Sequence, residues 1–176
     1  MMELSQKDKT IKYLVYCLLL LLAALLQNVG GLFLEIGRAR CFLLLPVCVL
    51  LGINEDERAA ALLGLFAGFL WDMVSVQHRG FNCIFLMLVC YLISALVTFV
   101  FRNTFLVGVI ASAAAVVLYC VLYWLLFVVI GTGEGRGASF LYFYLPCAVY
   151  TCAVTPLIYW ILSPLQTKLN KEPVLD

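Results

Sequence analysis

Hydrophobic residues fall in six long blocks separated by short polar breaks. The first, Ile11–Phe33, has 23 residues, and only Lys12, Gln27 and Asn28 in it are strongly polar. At the helical rise it reaches about 34 Å, enough to cross the hydrocarbon core of a bilayer. The second is short. Its uncharged part, Cys41–Ile53, reaches about 20 Å and holds Pro46. Starting at Ile36 lengthens it to about 27 Å, provided that Arg38 and Arg40 snorkel to the interface. The third block, Ala59–Val76, carries Asp72, while the fourth, Phe81–Phe101, carries no charge. The fifth, Thr104–Ile130, lies in a charge-free run from Asn103 to Gly133. The sixth, Phe140–Leu162, is charge-free with Pro146 and Pro156, which membrane helices tolerate when neighbours re-satisfy the freed carbonyls. Gly131–Gly137 is Gly-rich and polar and predicts a hairpin between the last two helices. Pro164 and the polar tail Gln166–Asp176 close the chain. The pattern predicts an all-α integral membrane domain with spans at 11–33, 36–53, 59–76, 81–101, 104–130 and 140–162.

Composition agrees and narrows the function classes. The chain has 176 residues, 65% hydrophobic and 12% charged, with a mean hydropathy of +1.09. A soluble domain is about 45–50% apolar and about 25% charged. Such a surplus on a soluble sphere would expose large aggregating patches. Eleven Lys+Arg against ten Asp+Glu leave no basic excess for phosphates, so nucleic acid is excluded as a partner and membrane lipids surround the chain. The Lys-bearing head (Lys7, Lys9, Lys12) invites a signal-peptide reading. The first block is longer than a secretory core, however, and Gly30-Gly31-Leu32-Phe33 offers no small-residue cleavage site, so an uncleaved anchor is expected.

The positive-inside rule decides the doubtful second block. With six spans and the N-terminus inside, seven basic residues face the cytoplasm (Lys7, Lys9, Lys12, Arg58, Arg102, Lys168, Lys171) and four face outward (Arg38, Arg40, Arg79, Arg136). If the block does not cross, the division is five against six and no bias remains. Six spans with both termini cytoplasmic are therefore expected.

Little in the chain resembles catalytic machinery. Eight cysteines are scattered with no C-x-x-C pair, and most sit inside apolar blocks, where Cys serves as a small hydrophobe. The single histidine, His78, has no ligand-spaced companion. Only one acid lies within a span, so a proton-sharing pair is missing. No enzyme activity, cofactor or metal is expected. That one acid is Asp72. An ionisable group in a span costs about 2–3 kcal/mol or more at the bilayer centre and is a functional candidate by default. About 20 Å along its helix, beside Trp71, it can instead cap the following turn or pair with Arg79. Ala60, Gly64, Gly68 and Asp72 recur every four residues and form one stripe, on which Gly64-x-x-x-Gly68 lets another helix backbone approach closely. Packing within this chain outweighs a homodimer through that stripe. The fifth block offers a similar face in Gly108, Ala111, Ser112 and Ala115.

Gly64-Leu65-Phe66-Ala67-Gly68-Phe69-Leu70-Trp71-Asp72, followed by His78-Arg79-Gly80-Phe81-Asn82 and a further apolar block, resembles the signature of the bacterial MreD family. That family shows a G-x-x-x-G-x-x-x-D helix, a short loop and a Gly–apolar–Asn start to the next helix. The specific part runs from Gly64 to Leu92, and the length and block order of the whole chain agree. Arg79 departs from the Pro that the family often has before the loop glycine, which leaves a shared role for that loop open. The resemblance implies a bacterial inner-membrane scaffold or regulator of cell-wall elongation. Its implied partner is MreC, a single-span protein, and behind it stand MreB filaments, RodA and a penicillin-binding transpeptidase. The alternative is the substrate-binding subunit of an energy-coupling-factor vitamin transporter, whose architecture the family is thought to share. The docking pattern of such a subunit is not evident in the first block.

Overall fold

The computed structural model describes residues 6–28, 40–75, 80–99, 104–129 and 140–170. Among them every regular element is helical: α1 (Gln6–Asn28), α2 (Leu44–Gly52), α3 (Glu57–Val74), α4 (Phe81–Phe99), α5 (Phe105–Tyr123) and α6 (Leu145–Leu169). A π-helical stretch, Trp124–Val129, extends α5, and another, Phe140–Tyr144, leads into α6. Four stretches are long and apolar enough to cross a membrane: Gln6–Asn28, Phe81–Phe99, Phe105–Phe127 and Tyr142–Leu169. The 18 residues of α3 reach about 27 Å, but this helix carries Glu57, Arg58 and Asp72.

Three boundaries differ from the sequence expectation. First, α1 begins at Gln6 and takes the Lys-bearing head into the helix. Second, α6 runs through Pro164 to Leu169, so the polar Gln166 is helical and buried rather than part of a tail. The third difference is the largest. In the described part of that block, residues 40–53, the helix covers only Leu44–Gly52, about 14 Å, less than half the hydrocarbon thickness. Pro46 sits in its first turn, where a missing N–H breaks no helical bond. Arg40 and Cys41 before it are not helical, and side chains from other helices take the backbone donors of this stretch. Arg40 N donates to Cys147 Sγ (3.3 Å), Phe42 N to Thr151 Oγ1 (3.0 Å) and Leu44 N to Gln27 Oε1 (2.9 Å). Irregular backbone at membrane depth survives only when protein groups satisfy it in this way. The ends of the first and fourth expected spans and the Gly131–Gly137 hairpin lie outside the described residues.

Every residue of α2 is buried, and all five other helices pack around it. Large apolar side chains line the outside of the helices, among them Leu14, Leu18, Phe69, Ile110 and Leu157. The wholly buried ones include Ser94, Ser112, Thr151 and Thr155. Three of these satisfy themselves within the helix, Ser112 Oγ on Gly108 O, Thr151 Oγ1 on Cys147 O and Thr155 Oγ1 on Thr151 O, at 2.7–2.9 Å. Lipid-facing apolar surface and polar groups turned inward are what a bilayer solvent selects.

The bundle has two ends, and each gathers polar groups. At one, Lys12 near the start of α1 meets Glu55, and Gln166 near the end of α6 bonds Leu50 O (2.8 Å) and Asn54 Nδ2 (2.9 Å). The start of α1 and the end of α6 therefore share one end. At the other, the end of α3 and the start of α4 meet α5 and the stretch before α2.

Candidate functional site

The stripe on α3 lies against α4. A Cβ built on Gly64 would stand 2.4 Å from Leu86 O and 3.0 Å from Met87 Cα. One built on Gly68 would stand 2.4 Å from both Asn82 O and Cys83 Cα. Two helix backbones are thus in contact along two turns, and only glycine permits it. Where lipid removes the hydrophobic drive, such close packing is the main source of helix association. Ala60, one turn earlier, is fully buried and faces Gly52 of α2, where an added Cβ would stand 3.3 Å from Ala60 Cβ. The stripe is occupied by α4 and α2 and presents no free face to a second copy.

Asp72 ends the stripe, 7% exposed. Its Oδ2 accepts from Gly80 N (3.0 Å) and Cys83 N (3.0 Å), and its Oδ1 accepts from Asn82 Nδ2 (2.8 Å). The arrangement follows from the start of α4. Gly80 is the residue before the first turn, and its carbonyl accepts the first helical bond from Ile84 N (3.2 Å). Helix starts leave N–H groups without partners, and a capping side chain commonly takes one. Gly80 has no side chain, and its φ of +95° suits glycine. Asp72, from the preceding helix, performs both halves of a capping box, reaching the cap N–H and the N–H three residues on. Its negative charge also faces the positive end of the α4 dipole.

Asn82 extends the network into α5. Buried at 3% exposure, it accepts from Tyr119 Oη through Oδ1 at 2.9 Å. Tyr119 stacks on Trp71 (ring centroids 5.0 Å apart, 27° between planes) and meets Phe42 edge-on at 5.5 Å. Asp72, Asn82 and Tyr119 thus tie α3, α4 and α5 together at one end. Tyr119 and Cys83 were not singled out in the sequence. A tyrosine in a charge-free span needs a partner for its hydroxyl, and that need is the signal that could have marked Tyr119. His78 and Arg79 lie outside the described residues, while Gly80 and Asn82 are both placed in the Asp72 network.

The opposite end holds a second buried acid. Glu55, 7% exposed, is ion-paired with the buried Lys12. Tyr13 Oη donates to Glu55 Oε2 (3.2 Å), Ser94 Oγ donates to the Glu55 carbonyl (2.6 Å), and the Tyr13 and Tyr16 rings each lie 5.8 Å from Lys12 Nζ. Every cysteine among the described residues is free, and Cys48 Sγ and Cys90 Sγ touch at 3.4 Å between α2 and α4. No cluster of three or more metal-ligating side chains occurs among the described residues. Apart from the Tyr16 hydroxyl, which is buried without a hydrogen-bond partner, the polar groups described at the two ends bond one another, and what they do chemically is hold helices in register.

A family model described as rod shape-determining protein MreD matches residues 7–168. No curated protein and no solved structure matches the chain. The match covers nearly the whole chain, including both polar ends and all six helices, and the chain belongs to the MreD family.

Proposed function

We propose that this member of the MreD family acts as a non-catalytic scaffold of the cell-wall elongation machinery, with an MreC-type single-span protein as its direct partner. MreB, RodA and the penicillin-binding transpeptidase are then reached through that partner. Membership of a rod-shape-determining family supports the cellular role, and the multi-pass apolar helices support residence in the inner membrane. The shared end of α1 and α6 and the seven-to-four distribution of basic residues support cytoplasmic termini. The vitamin-transporter alternative gains nothing from the comparisons.

One observation carries the docking part of this reading. α4 and α5 are consecutive yet barely touch. Between them lies a groove of about 380 Å³ walled by apolar side chains, from Val89 to Val97 on one side and Val107 to Leu118 on the other. Ala111, Ala114 and Ala115 line it, and small residues are what allow a partner helix to approach closely in lipid. The α5 side of the groove runs for about three helical turns. The glycine stripe cannot serve this purpose, because α4 fills it.

Ala114 is exposed within the groove, so Ala114→Phe fills it without disturbing the core. The variant is expected to accumulate and extract normally but to lose co-purification with the single-span partner. Leu62→Phe, on an exposed face of α3, should keep the partner. Retention of the partner by Ala114→Phe at the parent level sinks the groove as the docking face.

A further inference from the structure

A cavity of about 310 Å³ opens at the Asp72 end of the bundle. Its wall is drawn from separate parts of the chain. The end of α1 brings Gln27 and Asn28, the end of α3 brings Ser75, the stretch before α2 brings Phe42, and the lead into α6 brings Tyr144. We propose that this cavity is a binding site for a small uncharged ligand, a flat ring that carries an amide edge.

Size and charge narrow the ligand first. The volume lies at the small end of ligand pockets, enough for one compact ring system. None of the described lining residues is acidic, and Arg40, a cation in the wall, is already engaged with another group. An ion entering the cavity would leave water without a free countercharge to meet it, which is costly. A neutral ligand escapes that penalty.

The hydrogen-bonding edge comes from two amides of fixed orientation. Gln27 Oε1 accepts from Leu44 N (2.9 Å), which leaves its NH2 group as a donor. Asn28 Nδ2 donates to Ala24 O (2.8 Å), which leaves its Oδ1 as an acceptor. Backbone partners set both assignments, so neither amide can flip without losing a bond. The wall thus offers a donor and an acceptor from consecutive residues. A lactam or carboxamide presents the complementary pair, C=O for the Gln27 N–H and N–H for the Asn28 oxygen. The Ser75 hydroxyl can donate or accept and conflicts with neither.

The rest of the wall selects a flat ring. Phe42 and Tyr144 are half-buried and line the cavity. Phe42 is backed by Trp71 and Tyr119, with ring centroids 5.6 and 5.5 Å away, which holds its orientation. Aromatic walls of this kind take a planar ring at little conformational cost. The α4–α5 groove and the cleft between α1 and α6 have apolar walls instead, suited to lipid or a helix. The site goes beyond the scaffold reading and does not depend on partner docking.

Equilibrium dialysis of the full chain in phosphatidylcholine nanodiscs, blanked against protein-free discs, tests the site with 2-quinolone as probe. Coumarin is its control, with the same shape and carbonyl but a ring oxygen in place of the N–H. Saturable binding of 2-quinolone is expected at one probe per chain. Coumarin should bind about tenfold more weakly, because it leaves the Asn28 acceptor unpaired. The anion 1-naphthoate should bind more weakly than 2-quinolone. Asn28→Ala removes the acceptor from an exposed position and should bring 2-quinolone down to the level of coumarin. No binding beyond the empty discs overturns the proposal, as does equal binding of 2-quinolone and coumarin. So does tighter binding of 1-naphthoate, or an Asn28→Ala chain that keeps the tenfold preference. If Asn28→Ala fails to fold, the comparison of the three probes on the parent chain still decides.

Discussion

The two ends of the bundle each bury one carboxylate and neutralise it by opposite means. Asp72 is held by three neutral donors, two backbone N–H groups and one amide, all from the start of α4. Glu55 is held by a countercharge, Lys12, supported by the Tyr13 hydroxyl. The Asp72 site is local, since its partners lie 8 to 11 residues away and a positive-φ glycine sets the turn. The Glu55 site is long-range, with Tyr13 42 residues away in sequence and Ser94 39. Capping fixes the angle between two neighbouring helices. A buried ion pair pins the first helix to the α2–α3 turn and carries a large penalty whenever one partner is lost.

The largest expected effect tests the Asp72 end through its glycine. Gly68→Leu drives side-chain atoms into the α4 backbone, where even a Cβ finds Asn82 O and Cys83 Cα at 2.4 Å. Backbone cannot step aside as a flexible side chain can, so the cost should exceed about 3 kcal/mol. Detergent-extracted protein should show little folded material by size-exclusion chromatography and thermal melting. A Gly68→Leu chain that melts within a few degrees of the parent would show that α3 and α4 are not in the contact described.

That difference between the ends also explains what could be read from the sequence. The α3 stripe was legible because its information is local: small residues at a fixed period, an acid at the end, then a glycine and an asparagine. The short α2 was not. Ile36–Ile53 has the composition of one continuous helix, and the side chains that take the backbone donors of Arg40, Phe42 and Leu44, where the irregular chain enters α2, are those of Gln27, Cys147 and Thr151. Two of these lie more than 100 positions away, at separations of 107 and 109. Glu55 was hidden differently. In Asn54-Glu55-Asp56-Glu57-Arg58 it resembles any solvated turn, and only the folded bundle singles it out from its acidic neighbours. Pro164 signals a helix end and so places Gln166 in the tail, yet α6 continues through it and Gln166 bonds the last turn of α2.

Charge removal at the Glu55 end is the next largest effect. Glu55→Gln keeps the shape and strands the Lys12 ammonium, and Lys12→Met strands the carboxylate. Each should lower stability by about 3 kcal/mol, as breaking one side of a buried pair does. The double variant Lys12→Met with Glu55→Gln removes both charges and should recover most of that loss. Thermal melting of the four chains in the same detergent gives the coupling directly. Additive losses would mean that Lys12 and Glu55 are each solvated independently and that the pair does not pin α1.

The same isosteric change at the other end should do far less, and this gives the finest test of the contrast. In Asp72→Asn the remaining carboxamide oxygen still accepts from Gly80 N and Cys83 N. The new NH2 group then faces Asn82, whose amide must turn to present its oxygen. That turn points the Asn82 NH2 group at Tyr119, whose hydroxyl can accept as well as donate. Every hydrogen bond in the network therefore has a substitute, and the main loss is the attraction between the carboxylate and the α4 dipole. That interaction is worth about 1 kcal/mol in a partly buried setting. Asp72→Asn should accordingly melt only a few degrees below the parent, well above Glu55→Gln. If Asp72→Asn proves as damaging as Glu55→Gln, the charge itself is needed at this end. The acid would then be facing a cation from the loop at His78 and Arg79 as well as the start of α4.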